Sequence, residues 1–359
     1  MGFRYIGSKE KLSDIIISEI KRINDKAIHV IDLMAGTGQF SLALRENNYQ
    51  VTAVDVMTYS FHHLNVHLKI PKNPLFESVE QIKGINEQQS FSLFGESNYE
   101  LILSHLNNLK PLQGYFWKEF CPEGIPTDSD RPRKYFTPNN ASKIDAIRLE
   151  IKNLYAKKLI TDIEHSLLLH DLIMAVNDIA NIAGTYGHYL SKFVKRSESP
   201  IKLAPFSFSN KGNFEGHQII RGYAEDVSKM LKADICYIDP PYIKRQYAAN
   251  YHILETIARE DEPDAVGESG LRPWRDQYSN FCSKVKIRDS FTKIIEGIET
   301  SDFLISYSED GLLPIQDLID FLSNYGQVSK KSIKYKRFKS NDSLKDSMLD
   351  EYLIHLTKN

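Results

Sequence analysis

The stretch "ADICYIDPPYIKRQY", residues 233–247, joins a short apolar run to an aspartate, two prolines and a tyrosine. Consecutive prolines fix φ and carry no N–H, so Asp239, Pro240, Pro241 and Tyr242 read as a rigid turn whose carbonyls are free to accept hydrogen bonds. Asp239 and the Pro240 carbonyl can together hold both hydrogens of an exocyclic amino group, while the flat ring of Tyr242 stacks on the base that bears it. Such an amine is a poor nucleophile because its lone pair is delocalised into the ring. Two acceptors that polarise its N–H bonds favour the tetrahedral form and release the lone pair, leaving in-line positioning and stabilisation of charge on nitrogen as the remaining work. The bland alternative is a stiff loop at a strand end.

A second cluster lies in "DLMAGTGQF". Gly36 and Gly38 follow an apolar run and precede a helical pattern, which lets a ligand approach the backbone near a helix N-terminus. Asp55 ends the next apolar run, where a carboxylate can accept hydrogen bonds from ribose hydroxyls. The loop lacks the Lys-Ser/Thr ending that a nucleoside triphosphate requires, and Ser41 stands where a dinucleotide fingerprint has its third glycine. S-adenosylmethionine (SAM), with a ribose and no pyrophosphate, fits better than NAD, and its sulfonium methyl is the electrophile an activated amine needs. A purely structural turn is the competing reading.

These residues need a scaffold that delivers them to one edge. "IHVIDL" (28–33), the glycine loop, "SLALRENN" and "QVTAVD" read as strand, loop, helix and strand, a βαβ unit whose wholly apolar strands imply a parallel sheet covered on both faces. Ahead of it, Leu12, Ile15, Ile16, Ile20 and Ile23 recur at helical spacing with Ser8 placed as a cap. Strand signals resume at "HQIIRGYAED", "ADICYI" and "DFLISY", a helical pattern from Ile287 to Ile298 precedes the last of these, and the C-terminal residues read as two strands flanking a polar loop. Between them, residues 140–156 and 162–183 are helical in pattern, and "FCPEGIPTDSDRPRKYFTPNN" is rich in proline and charge. The expected architecture is therefore α/β: a doubly wound, Rossmann-like sheet formed by residues 1–69 and 206–359, interrupted by a mainly helical insertion, 70–205, that carries a long functional loop.

Composition sets outer limits. The chain has 359 residues, 42% of them hydrophobic and 26% charged, and no apolar run approaches the roughly 18 residues of a membrane span, so a membrane role is not expected. The start "MGFRYIGSKEKLSD" has no signal-peptide core, and Cys121, Cys236 and Cys282 lack CxxC spacing, which points to the cytoplasm without zinc or disulfides. His63 and His67 have the i,i+4 spacing of a helical metal pair, but no third ligand stands nearby, so no metal is expected. The net charge of -2 leaves nucleic-acid binding to be read locally. Residues 330–339, "KKSIKYKRFK", hold six basic residues and no acid, making Lys330, Lys331, Lys334, Lys336 and Arg337 candidates for phosphate contact, with a solvated hairpin as the alternative. In the insertion, Arg131, Arg133 and Lys134 are candidates for base reading, since arginine pairs bidentately with guanine; an exposed loop pinned by prolines is equally compatible. "RPWRDQY" (272–278) is a further basic and aromatic loop. Tyr247, Tyr251, His252 and Tyr307 are placed to line a base pocket or to be core.

"RYIGSK", "DLMAGTGQF", "AVD" and "CYIDPPY", in that order, resemble the adenine-specific DNA methyltransferases, in particular the DNA adenine methylase family that includes many restriction-modification enzymes. The resemblance implies a SAM-dependent methyltransferase sheet with residues 70–205 as its inserted target-recognition region, and methylation of the adenine N6 amine in a specific double-stranded DNA sequence, with the base extruded from the helix. It implies that Tyr5, Gly7 and Lys9 border the methionine end of SAM. Asp32, Ala35, Gly36 and Gly38 would form its loop, Asp55 would bind ribose, and Asp226 would contact the adenine amine of the cofactor. Asp239, Pro240, Pro241 and Tyr242 match the catalytic tetrapeptide. A cognate restriction endonuclease is a candidate partner. The rival readings are an N4-cytosine DNA methyltransferase, where "SPPY" is more usual, an RNA base methyltransferase, and a non-catalytic DNA-binding specificity protein with a vestigial fold.

Overall fold

The structure, a computed structural model, describes residue 9 and residues 12–72, 74–83, 85, 97–336 and 348–359. Tyr5, Gly7, Ser8 and Arg337 lie outside the described residues. The chain forms two compact units. One comprises the described residues up to Leu68 with Lys211–Ala248 and Arg275–Asn359; the other comprises those of Lys69–Asn210 with Ala249–Trp274.

In the first unit, helix α1 (Ser13–Ile23) precedes β1 (His29–Leu33), α2 (Gln39–Glu46), β2 (Gln50–Asp55) and α3 (Thr58–Lys69). There follow β3 (Gln218–Arg221), β4 (Ile235–Ile238), β5 (Asp302–Ser308), β6 (Gly326–Lys336) and β7 (Met348–Lys358). These strands form one seven-stranded sheet in the order β3-β2-β1-β4-β5-β7-β6. Strands β1 to β5 run parallel, which requires crossovers such as α2, whereas β7 runs antiparallel to both β5 and β6. Alternation along each strand feeds two cores. Val30, Val51, Tyr237, Leu304 and Leu353 face Ile16, Ile20, Leu44 and Leu64 of the three numbered helices. Ile31, Val54, Ile238, Ile305 and Ile354 face Phe291, Ile294 and Ile295 of the helix Ile287–Gly297. Burial on both faces explains why the strands read as unbroken apolar runs. The strand order reverses between β1 and β4, so the carboxyl ends of those two strands open the ligand crevice expected of a doubly wound sheet.

The second unit is mainly helical. Its helix Pro138–Ala156 starts where the Thr137 hydroxyl accepts the Asn140 N–H at 3.3 Å, with proline in the first turn. Helix Asp162–Ile179 starts with a reciprocal cap between Thr161 and Glu164. The sequence-based boundary 70–205 leaves out the segment Ala249–Trp274, which clusters here. Seven of the eight residues of its helix His252–Arg259 are buried, and an amphipathic helix settles where its apolar face is covered rather than beside its sequence neighbours. Tyr251 and His252 are core residues for the same reason: both are fully buried, and the His252 ring bonds the Tyr186 carbonyl at 3.0 Å. Among the described residues no helix is long and apolar enough to cross a membrane.

Arg133 requires a correction. The base-reading expectation needs a reachable guanidinium, but this one is fully buried. Its Nη1 reaches Glu119 Oε2 at 2.7 Å, and its other donations go to the carbonyls of Glu119, Ala265, Gly267 and Glu268 at 2.9–3.3 Å. A Cβ on Gly270 would lie 2.8 Å from Arg133 Nε, and that glycine sits at φ +65. Arg133 therefore bolts three remote segments of the helical unit together. Truncating one partner of a buried ion pair leaves the other charge uncompensated and costs about 3–5 kcal/mol. We expect Arg133→Ala to lose stability of that order in denaturant unfolding; a change within experimental error would show that the lock contributes nothing.

Candidate active site

The loop after β1 is shaped by backbone conformation. Met34, Gly36 and Gly38 all have positive φ, at 66, 57 and 75 degrees, a region costly for any residue but glycine. At Gly38 a Cβ would also stand 3.0 Å from Leu64 and 3.1 Å from His67. The loop is tied to the end of β2: the Ala35 N–H donates to the Val54 carbonyl at 2.9 Å, and the Gly36 N–H donates to Asp55 Oδ2 at 2.8 Å. Asp55 Oδ1 accepts the Met57 N–H at 2.8 Å. Asp55 is thus oriented by two backbone donors and remains partly exposed at the crevice.

Asp32 lies beneath the loop, 1% exposed, and accepts the Ser41 hydroxyl at 2.5 Å. The serine that breaks the dinucleotide fingerprint therefore has a purpose. Burial pushes the Asp32 carboxyl up to about 7, the Ser41 bond opposes the rise, and the neighbouring Asp239 and Asp55 add to it.

The turn after β4 sits beside this loop because β4 pairs with β1 in parallel register, Leu33 opposite Ile238. Asp239 Oδ1 lies 3.2 Å from Lys9 Nζ, and the same ammonium lies 2.5 Å from Glu351 Oε1 on β7. Lys9 is 7% and Glu351 6% exposed. Burial outweighs Lys9 and, with Glu351 adding repulsion, raises Asp239 to about 7. Burial opposes the charge on Lys9, but Asp239, Tyr242 and Glu351 overcome it and hold the ammonium well above its ordinary value. Pro240 is buried, and Pro241 and Tyr242 are half-buried. The Tyr242 carbonyl accepts the Leu312 N–H at 2.9 Å, and its ring meets Tyr307 edge-on at 5.8 Å. Tyr307 is fully buried, with its hydroxyl accepting the Leu313 N–H at 2.9 Å. It braces Tyr242 from behind and belongs to the core.

Two loops are strapped together at this edge. Gln246 and Ser279 exchange hydrogen bonds at 3.0 and 2.8 Å, and Cys282 Sγ donates to the Arg245 carbonyl at 3.4 Å. Gln277 donates to the Val56 carbonyl at 3.0 Å, and the Tyr223 hydroxyl donates to the Asp276 carbonyl at 2.7 Å. The straps gather Lys244, Arg245, Arg275, Lys284 and Lys286, all exposed, at the carboxyl edge of the sheet. Of these, Arg275 belongs to the basic and aromatic loop 272–278 that the sequence singles out; the other four were missed because they are split between "IKRQY" and "CSKVKIR", neither of which is a charge run on its own. Glu351 was missed as well: in "LDEYLIHL" it has the appearance of a solvated strand residue. Asp226 is exposed in the short helix Ala224–Val227 that follows β3.

The remaining candidates scatter. Side chains alternate along β6, so Lys330 and Lys334 share one face and Lys331 takes the other. Lys330 lies 5.1 Å over the Tyr352 ring, whereas Lys331 pairs with Glu19 of α1 at 3.0 Å. Lys336 belongs to β6, and its side chain lies outside the described residues. In the helical unit Arg131 is exposed, and Lys134 donates to the Ser191 carbonyl at 3.2 Å. His63 and His67 are buried in α3; burial pushes His63 well below its ordinary range and His67 down to about 4. Among the described residues no group of three or more His, Cys, Asp or Glu is placed to hold a metal ion.

The buried acids predict a direction for stability. A carboxyl raised from 3.8 to about 7 on folding keeps its proton in the native state after the unfolded chain has released its own, so its stabilisation is full at low pH and disappears as pH climbs through about 7. We expect Asp32→Asn to flatten the fall in urea midpoint between roughly pH 4 and 7. Asp239 would supply a residual slope of the same sign, and a profile identical to the unsubstituted protein would exclude Asp32 as the source.

Comparison with known proteins gives a consistent picture. The family described as D12 class N6 adenine-specific DNA methyltransferase matches residues 5–321. Type II methyltransferase M.FokI of Planomicrobium okeanokoites is 34% identical over 364 residues, covering 99% of this chain and 52% of that protein. Type II methyltransferase M.NlaIII of Neisseria lactamica is 31% identical, with 99% of each chain covered. M.CviAII of Paramecium bursaria Chlorella virus 1 is 30% identical, covering 98% of this chain and 97% of the relative. The chain spans about half the length of M.FokI and nearly all of the other two.

Proposed function

The chain belongs to the D12 class N6 adenine-specific DNA methyltransferase family, and on that premise we propose that it methylates the N6 amine of adenine within a specific sequence of double-stranded DNA, using S-adenosylmethionine. The observation that carries this reading is adjacency: the left-handed loop after β1 and the Asp-Pro-Pro-Tyr turn after β4 open side by side where the strand order reverses.

The residues present fit the cofactor. The loop backbone is bare at Gly36 and Gly38, and Asp55 offers an oriented, partly exposed carboxylate for ribose hydroxyls. Gly36, Gly38, Ala35 and Asp55 would hold the nucleoside, with Asp226 near its base. Asp32 would act from below, through Ser41. The bound donor supplies an electrophilic methyl group. Everything else is the protein's own work. Asp239 and the Pro240 carbonyl accept the hydrogens of the amine, the Tyr242 ring stacks on the extruded base, and Tyr307 fixes the angle of that ring. Positive charge that grows on the nitrogen faces Asp239, so an ionised Asp239 is the competent form.

Lys244, Arg245, Arg275, Lys284 and Lys286 would neutralise phosphates beside the catalytic turn, with Lys330 and Lys334 adding a second basic strip. Arg131 and Lys134 remain the candidates for reading bases from the helical unit. By likeness to relatives named as type II methyltransferases, the setting we infer is modification alongside a cognate restriction endonuclease.

Asp239→Ala should lower single-turnover methyl transfer to DNA by more than about 100-fold, while SAM affinity by calorimetry stays within a few-fold; parallel loss of both would contradict the assigned role. Replacing Lys244, Lys284 and Lys286 with glutamine should weaken DNA binding and reduce the slope of log affinity against log salt by about 0.9 for each phosphate no longer neutralised. An unaltered slope would remove these loops from the interface.

A further inference from the structure

Lys9 has one positive charge and two carboxylate neighbours, and it is not placed evenly between them. Its nitrogen lies 2.5 Å from Glu351 and 3.2 Å from Asp239. Glu351 reaches this point from the middle of the sheet's antiparallel extension, opposite Ser308 of β5 and Ile333 of β6. Its side chain shares a sheet face with Leu353, which packs in the core beneath α1. Between Glu351 and Asp239, the Tyr237 and Ser306 hydroxyls satisfy one another at 2.8 Å. Among the described residues, Lys9 touches Asp239 through Oδ1, and Oδ2 of Asp239 accepts no hydrogen bond.

We propose that Glu351 is a positioning residue that anchors the Lys9 ammonium, so that Lys9 orients Asp239 through one oxygen and leaves the other open to the substrate amine. The inference rests on the reading of Asp239 as the acceptor of that amine. Its physical basis is the cost of an unneutralised buried charge. Without Glu351, the ammonium would have Asp239 as its one carboxylate in the array and would close onto it, consuming the lone pairs that the amine needs. With Glu351 present, two carboxylates and one ammonium leave one net negative charge where the nitrogen becomes positive.

Among the described residues, the other ionisable groups facing the array are Tyr237 and Tyr242 from β4 and its turn, Asp32 from β1 and, through Asp32, Asp55 from β2. Strands β5 and β6 face Glu351 with Ser308 and Ile333, which do not titrate. Glu19 is held by Arg22 and Lys331 and is engaged away from the array.

The test is Glu351→Gln in the full chain, read in two independent ways. Titration of the Asp239 carboxyl by carbon NMR, assigned with Asp239→Asn, needs no turnover. Removal of a repelling carboxylate and closer approach of Lys9 both favour the ionised form, so the midpoint, about 7 in the unsubstituted protein, should fall by about one unit or more. An unmoved midpoint overturns the proposal. In parallel, kcat should fall about 10-fold, with SAM affinity and the KM for DNA nearly unchanged, the acid limb of the rate profile should move to lower pH, and Glu351→Asp should recover most of the rate. Equal kcat and an identical pH profile also overturn it. If Glu351→Gln does not fold, comparing Lys9→Met with Lys9→Met/Glu351→Gln replaces it. With the ammonium gone, substitution of Glu351 should no longer cost rate, and a full 10-fold loss in that background sinks the idea. Absence of methyl transfer by the unsubstituted protein would defeat the role assigned to Asp239 but leave the NMR result to stand by itself.

Discussion

An ammonium shared by two carboxylates is the interaction on which the geometry of the site depends. Lys9, Asp239 and Glu351 come from the approach to α1, the end of β4 and the interior of β7, so no local stretch of chain can assemble them. Each is tolerated in a buried position only because the others are present. The completed sheet is therefore a precondition for the Asp-Pro-Pro-Tyr turn as it stands, and the antiparallel pair at its end is more than an edge cover: it delivers a charged residue to the candidate site.

The surrounding electrostatics are mainly acidic. Among the described residues, Asp32, Asp55, Asp239 and Glu351 lie at one end of the sheet, against Lys9 and the Arg221 that stands opposite Asp55. A crevice of that character attracts cations and repels polyphosphates, which supports a sulfonium donor over a dinucleotide. It also separates two tasks. The acidic crevice suits the donor and the developing charge on nitrogen, while Lys244, Lys284 and Lys286 are exposed on loops outside it, the placement that the proposed phosphate contacts require.

Much of this was readable from residues in order. The apolar strands, the glycine loop and the Asp-Pro-Pro-Tyr turn carry their meaning locally: periodicity reports burial, and glycine or proline reports backbone conformation. The fold class follows from such signals, and so does the candidate set that β1, β2 and β4 bring to one edge of the sheet. What escaped depends on partners far away in sequence. Arg133 sits in a proline-rich, charged stretch that has every mark of an exposed loop, and nothing nearby announces that Glu119 and residues 265–268 close around it. Glu351 is the converse, a charge in an amphipathic strand that looks solvated until Lys9 is placed against it. Helix His252–Arg259 shows its amphipathic face plainly, but a hydrophobic stripe does not say which core it joins.

The Arg133 lock has a consequence for how the molecule is made. Ribosomal synthesis runs from the amino terminus, and domains generally fold as units. The helical unit cannot complete itself when Asn210 emerges, because its central guanidinium still waits for carbonyls at 265, 267 and 268. In the interval the ribosome produces β3 and β4, so the nascent chain must carry an unfinished helical core past the Asp-Pro-Pro-Tyr turn. Vectorial assembly of one unit and then the other is closed to this topology, and a truncation ending between the two segments would strand a charged pair in an open core.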